Sequence, residues 1–242
     1  TNTGRAAGYG ANVSNNATFT NESTGNIYVG STPITSTEGY TPEVMVGGTK
    51  QSAGILTTSS EQVLNEGNIT LGEKTRNAVG ILISGASGPV INNGTINVLG
   101  KLVDGAAASN YGLSAIDTVT VTNNGLINVT GDNNIAINIL AEKASATVNS
   151  SNSGEISVGE VGDSGGSDNN PYSYRNYAVF AEGISNYQAT ANIDSKINLF
   201  STGAIGVHAR GNATINVGAN AAVNFNNSQQ IGYYAYGQQA KI

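Results

Sequence analysis

The sequence has no cysteine and no tryptophan, and it has a single histidine and a single methionine. Without cysteine there is no disulfide framework, no thiol nucleophile and no Cys-ligated metal. With His208 as the one imidazole, no site built on two histidines can form. No metal site and no cofactor is therefore expected. Charge is scarce too: Asp, Glu, Lys and Arg make up 11% of the chain, against ~25% in an ordinary domain. The 10 Lys and Arg are scattered and the net charge is −6, so the basic stripe that nucleic acid requires is missing. No apolar run approaches the roughly 18 residues of a membrane helix. Thr1–Gly10 also lacks the basic start and apolar core of a signal peptide.

What is abundant is Gly, 32 of 242 residues, and Asn, 33. Gly keeps no three-residue period, which excludes collagen. The residues instead fall into repeated columns. One family of segments reads Gly25–Val29, Gly67–Leu71, Gly94–Val98, Gly125–Val129, Gly154–Val158, Ser195–Leu199 and Ala221–Phe225. Apolar residues two apart mark each as a short strand. Its inward columns are Ile27, Ile69, Ile96, Ile127, Ile156, Ile197, Val223 and Val29, Leu71, Val98, Val129, Val158, Leu199, Phe225.

A second family carries a small residue, Gly8, Gly54, Gly80, Gly112, Ala136, Ala178, Gly206 or Gly232, followed directly by Tyr9, Ile55, Ile81, Leu113, Ile137, Val179, Val207 or Tyr233. Two positions on stand Ala11, Thr57, Ile83, Ala115, Ile139, Ala181, Ala209 and Ala235. A weaker third set holds Val63, Val90, Val119 with Val121, Val148 and Ile215. Two or three strands every ~24 to 32 residues describe one coil of an all-β solenoid, a parallel β-helix. About eight coils at ~4.8 Å each make a rod near 40 Å long. Residues 1–242 thus read as a single β-helix segment. Tight corners need positive φ, which Gly and Asn supply. Asn65, Asn92, Asn123 and Asn152 each precede a strand isoleucine by four residues and are expected to stack as an amide ladder between coils. The Asn-x-Ser/Thr triplets, among them Asn12, Asn16, Asn68, Asn93, Asn128 and Asn212, are a weak glycosylation signal, because a composition this rich in Asn, Ser and Thr produces about six by chance against about nine present.

The repeats Asn92–Val98 (Asn-Asn-Gly-Thr-Ile-Asn-Val), Asn123–Val129 (Asn-Asn-Gly-Leu-Ile-Asn-Val) and Gly203–Ala209 (Gly-Ala-Ile-Gly-Val-His-Ala) resemble passenger domains of type V autotransporters. The similarity is greatest to the large outer-membrane autotransporter adhesins of fusobacteria. The resemblance implies a right-handed β-helix, displayed on a Gram-negative cell surface or secreted. It also implies a monomer that adheres to a host-cell or bacterial surface receptor, protein or glycan. Membrane attachment would come only through a C-terminal barrel, which these residues lack, as they lack the family's N-terminal signal. Secreted exoproteins of two-partner systems share the same β-helix.

Catalytic readings compete with this one and fare worse. Gly162–Gly166 (Gly-Asp-Ser-Gly-Gly) matches the nucleophile segment of chymotrypsin-like proteases, but Ser164 needs a His base oriented by a carboxylate. His208 follows the serine instead of preceding it, and it sits between the inward Val207 and Ala209. A β-helix glycosidase or lyase needs facing carboxylates or clustered Asp, whereas Glu155 and Glu182 are isolated and Asp117 falls at a turn. No catalytic residues are expected.

Two surfaces are candidates for binding. Insertions at residues 30–53, 100–110 and 159–176 occupy one corner of the coil, where others make do with Gly72–Asn77, and insertions at one register project from one side. They carry Tyr40, Met45, Tyr172, Tyr174, Arg175 and Tyr177, residue types favoured at recognition surfaces. The second candidate is a strip on the outward side of the second-family strands. It comprises Phe180, His208 and Tyr234 in one column and, beside it, Glu182, Arg210 and Tyr236, with Glu182 facing Arg210 as a cross-strand pair.

Overall fold

The structure, a computed structural model, describes residues 8–30, 52–73, 75, 77–85, 88–100, 109–131, 133–160 and 176–242. The described residues contain strands and turns and no helix. The first coil holds β1 (Tyr9–Val13), β2 (Thr18–Asn21) and β3 (Asn26–Val29), and the second β4 (Ser52–Thr57), β5 (Gln62–Asn65) and β6 (Asn68–Leu71). Next come β7 (Ala78–Ser84), β8 (Val90–Asn92) and β9 (Thr95–Val98), then β10 (Tyr111–Ile116), β11 (Val121–Asn123) and β12 (Leu126–Val129). The fifth coil is β13 (Ile135–Ala141), β14 (Ala146–Ser150) and β15 (Glu155–Val158), and the sixth β16 (Tyr177–Gly183), β17 (Ala189–Ile193) and β18 (Lys196–Leu199). The seventh is β19 (Ile205–Gly211), β20 (Ala213–Val217) and β21 (Ala222–Phe225), and β22 (Ile231–Tyr236) opens an eighth. Each strand pairs in parallel with its counterpart one coil away. The result is an eight-stranded sheet A (β1, β4 and on to β22), a seven-stranded sheet B (β2 to β20) and a seven-stranded sheet C (β3 to β21). These are the three faces of a parallel β-helix.

The registers bear out the sheet C columns rung by rung: Ile27, Ile69, Ile96, Ile127, Ile156, Ile197 and Val223 are consecutive partners. Ile69 through Leu199 are buried in one continuous core with the inward residues of sheets A and B. A fully buried Ile or Val contributes roughly 1.5–3 kcal/mol of transfer free energy, and no four-residue strand could realise that alone. The small column of sheet A gives sheet C's isoleucines their room. A Cβ on Gly112 would lie 2.7 Å from the Ala136 carbonyl oxygen and 2.8 Å from Ile127 Cγ2.

Two column assignments need correction. In the first coil Ala11, not Tyr9, pairs with Ile55, and Val13 pairs with Thr57. Gly10 therefore holds the small position, and Tyr9 is 36% exposed. Val119 is exposed and Val121 alone stands in the sheet B column beside Val90 and Val148. Phe225 keeps its column as the partner of Leu199, its ring lying against Gly232, and is 57% exposed on the last strand of sheet C.

The amide ladder exists, with different ends. Asn21 Nδ2 donates to Asn65 Oδ1, Asn65 to Asn92 and Asn92 to Asn123, each at 2.7 Å. It then passes to Ser150 Oγ at 3.5 Å and from there to Ser195 Oγ at 2.8 Å. Asn152 is exposed and is not a rung. Only Asn93–Gly94 separates β8 from β9, but Ser151–Gly154 separates β14 from β15. Counting back four residues from Ile156 therefore lands inside a longer turn. The same lengthening hides Asn21 in the first coil.

Removing a rung orphans a buried donor on one side and an acceptor on the other, at roughly 1–3 kcal/mol each. Asn92→Ala is expected to lower the denaturation midpoint by several times more than Asn152→Ala, whose exposed site predicts a change within about 0.5 kcal/mol. Urea titration followed by circular dichroism distinguishes the two, and equal midpoints would show the ladder to be energetically idle.

Candidate binding surfaces

The long connections all join a sheet C strand to the next sheet A strand: residues 30–51 between β3 and β4, 99–110 between β9 and β10, and 159–176 between β15 and β16. Short corners, residues 72–77, 130–134 and 200–204, alternate with them. The insertions thus share one corner, as expected, and recur at every second coil, about 10 Å apart along the rod. Ser52 and Ala53 belong to β4 and not to the first insertion. Tyr40, Met45, Tyr172, Tyr174 and Arg175 lie outside the described residues, as does Ser164.

A second amide ladder, not anticipated from the sequence, runs along this corner. Asn110, Asn134 and Asn176 are buried. Asn110 Nδ2 donates to Asn134 Oδ1 at 3.0 Å, and the Asn134 backbone N–H donates to Asn176 Oδ1 at 2.8 Å. Each amide also reaches a corner carbonyl of an earlier coil: Asn110 that of Thr75, Asn134 that of Gly100, Asn176 that of Gly131. A signal was present, because each stands two residues before the small column at Gly112, Ala136 and Ala178.

Past this corner the chain enters sheet A, whose outward side differs from the other two. The outward columns of sheets B and C are largely Asn, Thr and Ser, bonded coil to coil. Examples are Asn216 to Asn192 to Asn149 on sheet B and Asn224 to Asn198 on sheet C. Sheet A alternates differently: Leu56 and Leu82 face outward between inward neighbours and pack with Ala53, Val79, Tyr111 and Ile116 in a cluster separate from the main core. Burial pushes the Tyr111 phenol above its usual value, against a Ser109 hydrogen bond that pulls it down. Asn138, donating to Ser114 Oγ at 3.0 Å, interrupts the apolar face.

Beyond it the outward face turns aromatic. Phe180, His208 and Tyr234 are register partners on β16, β19 and β22. Their ring centroids lie 5.0 Å (Phe180–His208) and 4.7 Å (His208–Tyr234) apart. Tyr177 reads from the sequence as part of the insertion, but as the first residue of β16 it stacks on His208 at 5.9 Å and 23°. It thereby joins the two candidate surfaces. In the next outward column Glu182, Arg210 and Tyr236 are partners, and Arg210 Nε lies 3.2 Å from Glu182 Oε1.

His208 is half-buried, and its two ring nitrogens are covered and without a hydrogen-bond partner. Burial first, and the Arg210 charge second, hold the imidazole below its usual value. The ring therefore sits neutral in its aromatic setting at pH 7. Among the described residues, the carboxylates of Asp117, Asp194 and Glu155 stand on different corners and faces of the rod. Asp117, at the A–B corner, accepts three backbone N–H bonds from Glu142, Lys143 and Ala144. Burial pushes its carboxyl up, but those bonds and the Lys143 charge outweigh it and hold it low. Asp194, at the B–C corner, is held low by the side chain and backbone N–H of Asn220. Glu155, on sheet C, accepts from Asn198 Nδ2 at 2.8 Å. Among the described residues no group of three or more His, Asp or Glu could hold a metal ion.

Comparison with family models, with curated proteins and with solved structures returns no match. Function must be argued from these surfaces.

The single histidine makes one titration assignable. A folded imidazole held below its unfolded value binds protons less readily than the unfolded chain does. The stability it permits is therefore complete above about pH 6.5 and falls as pH drops below that. The melting temperature is expected to fall more between pH 7.5 and 5.5 in the parent chain than in His208→Phe, which keeps a ring in the stack. Parallel pH profiles would contradict this.

Proposed function

We propose that this chain is a binding and display module without catalysis. It is a segment of an autotransporter-type adhesin on a bacterial cell surface, holding a receptor-binding surface on a β-helix rod. The observation that carries the reading is the placement of the insertions. Three long connections leave the rod at one corner, at every second coil, beside the one sheet whose outward face is apolar and aromatic. In a solenoid such a side is where partners dock, and the polar, self-bonded outer faces of sheets B and C offer no comparable attraction. The repeats that resemble autotransporter passengers fit the same use. A stack of thin coils gives reach, and its cysteine-free sequence folds without oxidative help.

Replacing residues 31–51 or 161–175 by a turn with the sequence of Gly72–Asn77 tests the reading. The coils on either side are already hydrogen-bonded to each other, so each deletant is expected to fold, with an unchanged strand signature by circular dichroism. Adhesion of the purified chain to host or bacterial cells is expected to fall at least tenfold. A folded deletant with full adhesion would mean that the insertions do not contribute and that the rod serves as a spacer.

A further inference from the structure

We infer that the outward face of sheet A over the last three coils, at Phe180, Glu182, His208, Arg210, Tyr234 and Tyr236, is a binding site for a neutral saccharide. The inference rests on the reading of the chain as a binding module and names the ligand class of one surface of it. Three features of the patch select that class.

The first is shape and polarity. Tyr234 and Tyr236 are 41% and 60% exposed and stand on the same outward side of one strand in a regular parallel sheet. Exposed aromatic faces that present both an apolar surface and a polar tip suit a ligand that is itself apolar on one face and hydroxylated at its edge, as a pyranose ring is. A purely apolar peptide side chain would desolvate the neighbouring Arg210–Glu182 pair without meeting the donors and acceptors the pair leaves unused, which is costly.

The second is the charge balance. Arg210 and Glu182 form a pair whose side chains are 52% and 25% exposed. Together they offer adjacent donors and acceptors with no net charge. Vicinal hydroxyls can accept from the guanidinium and donate to the carboxylate simultaneously. An acidic ligand would meet Glu182 beside Arg210, and a basic one would meet the reverse.

The third is the packing within the column. His208, between Phe180 and Tyr234 and stacked on Tyr177, braces the rings on either side and contributes no charge at neutral pH. The groups facing it are Arg210 on its own strand, Glu182 and Tyr177 on β16, and Tyr234 on β22. The aromatic column is thereby pre-organised, and the ordering cost of binding is small.

The test applies the whole chain to immobilised lactose, N-acetyllactosamine and chitotriose, with sialylated and sulfated forms beside them, and to intact and periodate-treated cells. A neutral saccharide is expected to bind and to shift the resonances of the one imidazole in the chain. Tyr234→Ala and Arg210→Ala are each expected to weaken binding at least tenfold. Tyr236→Ala, at a more exposed position, is a second variant should Tyr234→Ala unfold. Tyr28→Ala, on the outward side of sheet C, is expected to change nothing. Binding confined to sialylated or sulfated forms, or unchanged in the sheet A variants, would overturn the site. Undiminished adhesion to periodate-treated cells would do so too, while leaving the binding reading intact. Failure to bind any cell or saccharide would overturn both.

Discussion

The structure depends on one constraint: a strand of three to seven residues can bury its inward side only against the strands one coil above and below it. Each position along a coil is therefore tied to the same position in its neighbours, about 4.8 Å away. Apolar side chains satisfy this by stacking like on like, as the sheet C isoleucines do. Apolar stacking is tolerant of sliding, however, and a slip of one residue would turn every inward side chain outward. Buried amides are not tolerant. An Asn side chain has a donor and an acceptor on opposite sides, and in the Asn21–Asn123 run each rung passes one bond onward while its second N–H turns to a nearby glycine carbonyl in Asn65, Asn92 and Asn123. A displaced rung would leave both groups unpaired in a dry interior, so the ladder fixes the register that the core exploits.

That constraint is also why so much of the fold could be read from the sequence. The pairing Ile96–Ile127–Ile156 is a column of identical letters, because the coil repeat forces neighbouring residues to be alike. Reading failed where the spacing changed and the chemistry did not. Two extra turn residues before β15 moved the ladder position from Asn152 to Ser150. A hydroxyl there does the work of an amide, which no column of Asn would reveal. The slip in the first coil has the same origin: Gly8 and Gly10 both fit a small column, and only the pairing of Ala11 with Ile55 decides between them.

The surfaces were less legible for a different reason. The outward column of sheet A is held by no such like-on-like repeat, so Phe180, His208 and Tyr234 are placed only by register from the inward columns, and their ring contacts follow from that register. The aliphatic outward face of sheet A does leave a signal in the sequence. Ala78–Ile83 is apolar at every position, the mark of a strand covered on both sides rather than on one. Tyr177 belongs with this group because β16 begins one residue after the buried Asn176, so a residue that reads as the tail of a loop is the first of a strand.

The second ladder explains how such large insertions leave the rod undisturbed. A long connection changes the entropy of its own closure only slowly with length. What could damage the stack is a shift of the points at which the chain leaves one sheet and enters the next. Asn134 holds both such points of the 99–110 connection: its Nδ2 bonds the Gly100 carbonyl at 2.6 Å, near the exit, and its Oδ1 accepts from Asn110, at the entry to β10. Asn176 fixes the entry end of the next long connection. As its last residue it lies against the Gly131 carbonyl and the Asn134 backbone N–H. With these points fastened to the short corner at residues 130–134, the 99–110 and 159–176 connections are free to change in length and content while β10 and β16 keep their registers. The corner that tolerates variation is thus the corner best braced against it, and it opens onto the one apolar outer face of the rod.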